Sequence, residues 1–424
     1  MSKLSRRQFN TMIGTTTAAA TIGMPFVARA ARPRAVVIGG GAGGGTAARY
    51  IAKDSKGAIE VLLVEPSKQY YTCFFSNLYL GGFRDYASIG HSYENLTRNH
   101  GVGVLHDWAD NIDRDKKIVH LASGARISYD RLVLSPGIDF KWDSVPGYSA
   151  EVSARIPHAW KSGTQVQLLK ALVENMRPGG TFVMVPPPNP FRCPPGPYER
   201  ISMIAHVLKQ RNPKAKIIVI DPKENFSKQG LFQAGWDQHY PGMVEWLPVS
   251  ISGGVKQLDA EAMTFKTDGE TFKADAASVV PAQVAGLIAQ KAGLTNKTGW
   301  CPILPATMQS AIDPNIYIVG DASIAGAMPK SGFSANSQAK VAAMALRGAL
   351  TGSRVFEARY ANTCWSLIAK DDGIKIGASY KAGEKAIEST STFISKTGES
   401  ADLRKQTYEE SIGWYSGITA DIFS

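Results

Sequence analysis

The chain has 424 residues, of which 44% are hydrophobic and 20% charged, and its formal net charge is +11 at pH 7. This composition is ordinary for a globular protein of two or three domains, and it excludes a repeat protein or a disordered one. The lysines and arginines are scattered, without a basic block or interleaved aromatic residues. The charge therefore does not indicate nucleic-acid binding, although it is compatible with an acidic protein partner.

The first thirty residues have the pattern of a twin-arginine export signal. An arginine pair in Ser5–Phe9 precedes an uncharged run, Asn10–Val27, and a cleavage pattern at Ala28–Ala30. The run is rich in Thr and Gly, and it is marginal against the ~20 apolar residues of a membrane anchor, the alternative interpretation. We therefore expect cleavage near Ala31, a periplasmic protein without stable membrane insertion, and a formal charge lowered by four, from +11 to +7.

The next segment predicts a dinucleotide site. A short strand, Ala35–Ile38, runs into a glycine-rich turn that opens a helix. Gly39, Gly41 and Gly44 fit the pattern G-x-G-x-x-G, which permits a tight turn, close approach of a pyrophosphate and close helix packing. A second strand ends at Glu65, the acidic residue expected to bind a ribose hydroxyl. Strand, glycines, helix, strand and acid together make a specific pattern.

Two later segments indicate that the dinucleotide is FAD. Tyr129–Ile138 has a strand and an S-P-G turn, with Pro136 and Gly137, of the kind found where flavoproteins leave their FAD domain. Ile316–Ser323 resembles the strand ending in G-D that meets the flavin ribityl chain, which assigns that contact to Asp321. Each segment alone is also compatible with an ordinary strand and turn. Their order and spacing resemble the two-dinucleotide-domain flavoproteins related to glutathione reductase, an α/β fold with two Rossmann-type domains.

The second domain of that fold lacks its usual fingerprint here. The strand in "GGTFVMVPPP" runs into Pro186, Pro187 and Pro188, which have no backbone N–H to offer a phosphate. We expect this domain to keep its fold but to have lost nicotinamide binding, so that electrons come from another donor.

The chain has four cysteines: Cys73, Cys193, Cys301 and Cys364. Four cysteines allow three full pairings, which the sequence does not distinguish. A chain this long can bury a sufficient core without disulfides, so the cysteines are more readily explained by chemistry. Cys193 lies in the stiff loop "NPFRCPPGPYER", whose four prolines exclude both a helix and a central strand.

The cysteine contexts carry a closer resemblance. The segments "EPSKQYYTCFFSNLYLGG", "PFRCPPGPYER", "GWCP", "GDASIAGAMPKSGFSANSQAKVAA" and "YANTCWSLIA" resemble, in the same order, the flavoprotein subunit of flavocytochrome c sulfide dehydrogenase. The resemblance extends from Arg34 to the C-terminus. A more distant relative is sulfide:quinone oxidoreductase.

This resemblance implies a role for three of the cysteines. Cys73 would carry FAD through a thioether to the flavin 8α-methyl group, the alternative being a merely buried thiol. Cys193 and Cys364 would form a redox-active disulfide beside the flavin, the alternative being an inert structural bridge. Cys301 is left over, and we interpret it as a buried structural thiol, with a reactive thiol as the second possibility.

The implied reaction is attack of hydrosulfide on the disulfide, an ordinary thiol–disulfide exchange. We expect Cys364 to be the flavin-proximal thiolate and Cys193 to carry the sulfur, and the reverse assignment stays open. Glu199 matches a carboxylate that the family places near the disulfide, where it would take protons from sulfide. The alternative for Glu199 is an ion pair with Arg200 or Arg192.

Two further residues are candidates beside the flavin. Lys330 would offset negative charge on the reduced flavin, although a surface lysine is the alternative. Trp414 matches an aromatic residue that the family places against the flavin, and packing is its alternative. The chain has no C-x-x-C-H motif and so cannot bind haem c itself. The resemblance therefore implies a separate c-type cytochrome subunit as electron acceptor and hydrogen sulfide as substrate.

The predicted organisation is discontinuous. Residues 34–148 and 287–350 form the FAD-binding domain, 149–286 form the second domain without a nucleotide fingerprint, and 351–424 form an interface domain.

Three other functions stay open: a sulfide:quinone oxidoreductase, which needs an apolar surface for the bilayer; a nicotinamide-dependent disulfide reductase; and a non-enzymatic flavin electron carrier. The polar C-terminal segment argues against a sulfide:quinone oxidoreductase, and the missing second glycine loop argues against a nicotinamide-dependent reductase.

Overall fold

The computed structural model describes residues 32–161 and 163–424. The predicted export signal, residues 1–30, lies outside them. Among the described residues, no helix is long and apolar enough to cross a membrane. Within the same ranges, no cluster of His, Cys, Asp and Glu side chains could hold a metal ion.

Ten helices and twenty-four strands make up the described part of the chain. The helices are α1 Ala42–Ser55, α2 Ser76–Leu80, α3 Glu94–His100, α4 Thr164–Glu174, α5 Gly196–Arg211, α6 Gln229–His239, α7 Val249–Ser252, α8 Leu287–Lys291, α9 Gly332–Thr351 and α10 Ala401–Phe423. The first twelve strands are β1 Arg34–Ile38, β2 Glu60–Val64, β3 Gln69–Tyr71, β4 Gly90–Ser92, β5 Gly103–Leu105, β6 Ala109–Asp113, β7 Ile118–Leu121, β8 Arg126–Ser128, β9 Arg131–Leu134, β10 Ile138–Lys141, β11 Thr181–Val185 and β12 Lys216–Ile220. The remaining strands are β13 Val244–Leu247, β14 Gln257–Asp259, β15 Thr264–Lys266, β16 Thr271–Lys273, β17 Ala276–Val279, β18 Ala282–Ala285, β19 Cys301–Pro302, β20 Ile316–Ile318, β21 Ser323–Ile324, β22 Arg359–Ala369, β23 Asp372–Ala382 and β24 Ile387–Ile394.

A five-stranded parallel sheet is built on both sides of β1. Its strand order is β20-β9-β1-β2-β5, and Val36 of β1 pairs with Leu62 on one side and Leu132 on the other. The strand β1 is almost entirely buried, as is usual when a parallel sheet is covered on both faces. Because β20 joins this sheet from far along the chain, two distant segments build one dinucleotide-binding unit.

A second parallel sheet has the order β13-β12-β11-β17. The antiparallel pair β10 and β18 connects the two sheets, since β10 follows the first sheet in the chain and β18 precedes the return to it. Two parallel sheets flanked by helices confirm the predicted α/β fold with two Rossmann-type units. The exact domain boundaries stay predictions.

The C-terminal part has a different architecture. The long strands β22, β23 and β24 form an antiparallel meander, and α10 packs against β23 and α1. The final helix buries Tyr415, Ile418, Ile422 and Phe423. The strand β22 also contacts α5 and α9, so the antiparallel sheet lies against both the second domain and the FAD-binding domain.

Candidate active site

The glycine-rich turn between β1 and α1 requires at least two of its glycines. Gly39 has a φ of +94°, and a Cβ atom there would lie 2.3 Å from the carbonyl oxygen of Ser135. A Cβ atom at Gly44 would lie 1.7 Å from the carbonyl oxygen of Gly39. These distances are shorter than any real contact, so the tight turn and the close helix packing depend on glycine. At Gly41 the nearest atom would be a ring carbon of Tyr70 at 3.3 Å.

A groove of about 1110 Å³ begins at this turn. It is lined by seven of the residues predicted to bind the cofactor, namely Gly39, Gly41, Glu65, Cys73, Pro136, Gly137 and Asp321. The groove is large enough for a dinucleotide, since drug-sized ligand sites measure about 300–1,000 Å³. The structure thus brings together segments that are almost three hundred residues apart in the chain.

Two carboxylates in the groove fit a dinucleotide with ribose and ribityl hydroxyls. Glu65 accepts hydrogen bonds from the backbone N–H groups of Gly40 at 2.7 Å and Ser67 at 2.9 Å, which fixes it at the end of β2. The Oδ1 atom of Asp321 is buried without a hydrogen-bond partner. Because an unpartnered buried acceptor is costly, a ligand hydroxyl at this position would stabilise the site. The residues present therefore fit FAD.

Lys330 lies behind the groove and does not line it. Its ammonium donates to the backbone carbonyls of Asp321 at 2.7 Å and Ser323 at 2.8 Å, and it lies 3.7 Å from the centroid of the Trp300 ring. Burial lowers the pKa of Lys330 to about 8, against the opposing effect of Asp321. The alternative of an ordinary surface lysine is therefore wrong, and the role of Lys330 beside the flavin stays a prediction.

A second, smaller cavity of about 80 Å³ adjoins the groove. Cys73, Phe74 and Arg192 line both spaces, so they form a shared wall. The smaller cavity is also lined by the three predicted catalytic residues, Cys193, Cys364 and Glu199, and by the predicted aromatic residue, Trp414. A water-sized molecule needs about 10–15 Å³ on this measure, so the cavity accommodates a few molecules the size of hydrosulfide.

Cys193 is held by the backbone on both sides. Its N–H donates to the carbonyl oxygen of Lys330 at 2.7 Å, and its own carbonyl oxygen accepts from Gly196 at 2.8 Å. Its φ is +59°, an uncommon value for a non-glycine residue. A Cβ atom at Gly196 would lie 2.9 Å from the sulfur, so a larger residue there would have to displace the Cys193 side chain. Burial, with Cys364 and Glu199 nearby, raises the pKa of Cys193 well above its usual value.

Cys364 lies on β22, on the face that also carries Asn362 and Ser366. The side-chain amide nitrogen of Asn362 is 3.3 Å from the Cys364 sulfur. Burial raises the pKa of the Cys364 thiol, while Asn362 and the Lys228 ammonium oppose that rise. All four cysteines are unpaired in this structure, and Cys301 is fully buried. The disulfide between Cys193 and Cys364 stays a prediction.

Glu199 projects from the first turn of α5 into the smaller cavity. Its carboxylate accepts from the amide of Asn77 at 2.8 Å and from the backbone N–H of Leu367 at 2.9 Å. Burial raises the pKa of Glu199, whereas these two hydrogen bonds lower it.

The ion-pair alternative for Glu199 is wrong. Within the described ranges, Arg192 pairs with Asp321 at 3.7 Å instead. Arg200 donates to the backbone carbonyls of His158 at 2.8 Å and Ala159 at 2.5 Å. The hydrogen-bond donors of the Glu199 carboxylate are therefore the neutral groups of Asn77 and Leu367.

Trp414 lines the smaller cavity and lies among other aromatic side chains. Its ring centroid is 5.1 Å from that of Trp365 and 5.7 Å from that of Phe74. The ring centroid of Phe333, which also lines this cavity, lies 6.0 Å from that of Trp414. The predicted role against a flavin and the packing alternative are both compatible with this position, because Phe74 belongs to the shared wall with the groove.

The nucleotide position of the second domain is filled by the chain's own side chains. Asp221, at the end of β12, is fully buried and accepts from the Tyr198 hydroxyl at 2.6 Å and from the Trp246 indole at 3.0 Å. Lys223 donates to the carbonyl oxygen of Pro187 at 2.8 Å. The acidic residue that would bind a ribose in an intact domain is thus closed off, which gives a second physical reason to expect no nicotinamide binding.

Two residues of the site, Lys228 and Asn362, are not among those that the sequence predicts. Lys228 is buried, and its ammonium donates to the carbonyl oxygen of Cys364 at 3.0 Å and to the Ser366 hydroxyl at 2.8 Å. Its local sequence gives no indication of this contact. Asn362 could have been found, because the pattern N-T-C places it two residues before Cys364, on the same face of a strand.

Three family models match the chain. Residues 166–281 match the central domain of the flavoprotein chain of sulfide dehydrogenase [flavocytochrome c], and residues 356–423 match the flavin-binding domain of flavocytochrome c sulphide dehydrogenase. Residues 33–174 match the pyridine nucleotide-disulphide oxidoreductases. The flavin-binding model and the fold together support FAD as the cofactor. The matched segments contain Glu199's helix, Cys364 and Trp414.

Individual relatives share only a low sequence identity with this chain. The mitochondrial sulfide:quinone oxidoreductase of Dictyostelium discoideum is 22% identical over 302 residues, which cover 68% of this chain and 65% of that protein. The solved sulfide:quinone oxidoreductase of Aquifex aeolicus has a TM-score of 0.65 at 18% identity, over 90% of this chain and 91% of that one. Putidaredoxin reductase, in its covalent complex with putidaredoxin, has a TM-score of 0.65 at 16% identity, over 89% of this chain and 93% of that one. These two structures establish the shared fold.

Proposed function

Since the chain belongs with the flavoprotein chains of flavocytochrome c sulfide dehydrogenase, a sulfide-oxidising flavoprotein family, we propose that it oxidises hydrogen sulfide to elemental sulfur or polysulfide. Electrons would leave to a c-type cytochrome subunit in the periplasm. The observation that carries the proposal is the small cavity in which Cys193, Cys364 and Glu199 meet, separated from the dinucleotide groove by a shared wall.

The cysteine pair would do the sulfur chemistry. In the oxidised protein, a disulfide between Cys193 and Cys364 is the electrophile, and hydrosulfide attacks one of its sulfurs. The products are a persulfide and a thiolate, and a second hydrosulfide then removes the outer sulfur. The backbone contacts of Cys193 and the strand position of Cys364 hold both sulfurs at one cavity. Such fixed placement lowers the entropic cost of each exchange.

Glu199 would manage protons in this reaction. Burial raises the pKa of Glu199, which makes the carboxylate a better proton acceptor than an exposed one. The hydrogen bonds from Asn77 and Leu367 keep its carboxylate at the cavity wall. Hydrogen sulfide that enters in its neutral form would lose its proton to Glu199 and react as hydrosulfide.

The groove residues would hold FAD, with Glu65 and Asp321 binding hydroxyl groups and Cys73 forming a thioether. When bound, FAD would accept the two electrons released as the disulfide re-forms and deliver them to the acceptor. A covalent link at Cys73 would retain the cofactor outside the cytoplasm. Cys73 lies in the wall shared by groove and cavity, so an attached cofactor would border the cysteine pair.

A quinone acceptor is the second candidate, because the relatives named above include sulfide:quinone oxidoreductases. Such enzymes need an apolar surface for the bilayer. Here the last helix, α10, turns Tyr415, Ile418, Ile422 and Phe423 into the protein. The apolar side of the C-terminal helix is therefore already covered, which favours a soluble cytochrome as acceptor.

The test uses the flavin-loaded mature chain under anaerobic conditions. Sulfide is added with either a c-type cytochrome or a water-soluble quinone, and reduction of each acceptor is followed by absorbance. We expect cytochrome reduction in the wild type, its loss in Cys193→Ser and Cys364→Ser, and its retention in the matched control Cys301→Ser. Faster reduction of the quinone would support the second candidate. Unchanged turnover in Cys193→Ser would leave only a flavin electron carrier.

A further inference from the structure

The strand around Cys364 carries two contacts that distinguish it from Cys193. We propose that Asn362 and Lys228 are positioning residues that make Cys364 the sulfur released as thiolate, so that hydrosulfide attacks Cys193. This inference rests on the proposed function, and it concerns which sulfur does which part of the reaction.

Asn362 directs a hydrogen-bond donor at the Cys364 sulfur. Its side chain is buried, its amide nitrogen lies 3.3 Å from the sulfur, and its Oδ1 accepts from the Ser331 hydroxyl at 2.5 Å. The same hydroxyl accepts from the backbone N–H of Ser334 at 3.0 Å, at the start of α9. With its oxygen accepting from Ser331, the amide presents its N–H group to the sulfur. A donor in that position stabilises a thiolate more than a neutral thiol. The Ser331 hydroxyl also lowers the pKa of Cys364.

Lys228 supplies a positive charge behind the same strand. Its ammonium donates to the Cys364 carbonyl and the Ser366 hydroxyl, and among the described residues it forms no ion pair within 4.0 Å. The more distant Glu199 carboxylate favours its protonated form. Burial lowers the pKa of Lys228 to about 8, so the ammonium is mostly protonated at neutral pH. A buried cation without a paired anion is costly, and a thiolate at Cys364 would offset that cost.

Other charged groups also face this pair. Glu199 from α5 raises the pKa of both thiols, and Arg404 from α10 opposes protonation of Lys228. Arg192 lowers the pKa of Cys193, but its guanidinium is already engaged by Asp321 at 3.7 Å and by the carbonyl oxygen of Trp160. The two sulfurs are thus unequal, and only Cys364 has both a direct donor and a nearby unpaired cation.

This inequality sets the direction of the exchange, because a thiol of lower pKa leaves faster. A lone pair of hydrosulfide forms a bond to the sulfur of Cys193, and the bond between Cys193 and Cys364 breaks with its electron pair going to Cys364. The sulfide sulfur rises from the sulfide to the disulfide oxidation level, the Cys364 sulfur falls from the disulfide to the thiolate level, and the Cys193 sulfur keeps its own, so the exchange balances without a further oxidant. The proton of hydrosulfide stays on the outer sulfur of the persulfide.

The first arm of the test maps the persulfide in the wild type, where no substitution can disturb folding. The flavin-loaded chain is treated anaerobically with one equivalent of sulfide, quenched with iodoacetamide and digested for mass spectrometry. We expect the alkylated persulfide on the Cys193 peptide and simple alkylation on the Cys364 peptide. A persulfide on Cys364 would overturn the inference while leaving sulfide oxidation intact. Absence of any persulfide, with no flavin reduction by sulfide, would count against the proposed function itself.

The second arm measures the thiol pKa values of the reduced protein from the pH dependence of iodoacetamide labelling. In Lys228→Met and Asn362→Ala we expect the Cys364 pKa to rise by about one unit, which is about tenfold less thiolate at neutral pH. The Cys193 pKa should change less. Ser366→Ala is the matched control, because it removes a contact of the same ammonium and keeps the charge. An unchanged Cys364 pKa in both variants contradicts the positioning role, and Lys228→Arg should restore the wild-type value.

Discussion

Acid should destabilise the protein through one buried side chain, His158. Its Nδ1 accepts a hydrogen bond from the backbone N–H of Trp160 at 2.9 Å, and its ring lies 4.6 Å from that of Phe140. Burial lowers the pKa of His158 from 6.5 to about 3, and the nearby Arg200 guanidinium adds to this effect. The native protein therefore keeps this imidazole neutral at pH values at which the unfolded chain is already protonated.

The sign and size of the effect follow from linkage. Between pH 6.5 and about 3 the unfolded state binds one more proton than the native state, so the free energy of unfolding falls as the pH falls. The stabilisation that comes from keeping His158 neutral is complete above pH 6.5 and is lost progressively as the pH falls from 6.5 to about 3. With 1.36 kcal/mol per pKa unit, the loss at pH 5 is about 2 kcal/mol relative to neutral pH.

The assay is urea unfolding of the wild type and of His158→Asn at pH 7 and pH 5. An asparagine oxygen can still accept from the Trp160 N–H but does not titrate. We expect the wild type to lose about 2 kcal/mol more than the variant between the two pH values. Taking the difference between the two proteins removes the contribution of carboxylates that titrate in both. Equal losses would refute the reasoning and would mean that His158 is protonated, or solvated, in the native state.

Two further predictions concern the site. In Cys73→Ser, FAD should be released when the protein is precipitated with acid. In the wild type, mass spectrometry should show that the peptide around Cys73 keeps flavin through denaturation and digestion. Release of flavin from the wild type would disprove the thioether. In Glu199→Gln, sulfide turnover should fall by about a hundredfold, the usual size of a lost acid–base group. The wild-type rate should also decline at acid pH as Glu199 is protonated, and a variant with the same acid limb would show that another group is responsible.

The local motifs were readable from the sequence because their geometry is set by neighbouring residues. Gly39 and Gly44 must be glycines for reasons of turn and helix packing that involve atoms only a few positions away or on the adjacent strand. Glu65 and Asp321 follow strands, and the carboxyl ends of parallel strands meet at one edge of a sheet. A pattern of this kind predicts a site without any knowledge of the remaining fold.

The cysteine site is different, since its parts come from three remote elements. Only the family resemblance predicts that Cys193 and Cys364 lie together, because nothing in the spacing of four cysteines selects one pairing. The positions of Lys228 and Lys330 also depend on tertiary contacts. The Lys330 ammonium donates to two backbone carbonyl oxygens, and the Lys228 ammonium donates to one such oxygen and to the Ser366 hydroxyl. Every residue carries a backbone carbonyl, so the sequence pattern does not indicate these contacts.

The charges around the smaller cavity explain how an anionic substrate and an anionic product could both be accommodated. Arg192 and Arg200 line this cavity together with Glu199, and Lys228 lies behind Cys364. Asp321, in the groove, pairs with Arg192, and Lys330 lies behind Asp321. With the cysteines joined as a disulfide, the cations of this set outnumber its carboxylates, which attracts hydrosulfide. Release of one cysteine thiolate would then lower that positive charge. The cost of burying Lys228 is therefore highest before the reaction and lowest after it, and that difference lowers the free energy of the exchange in the forward direction.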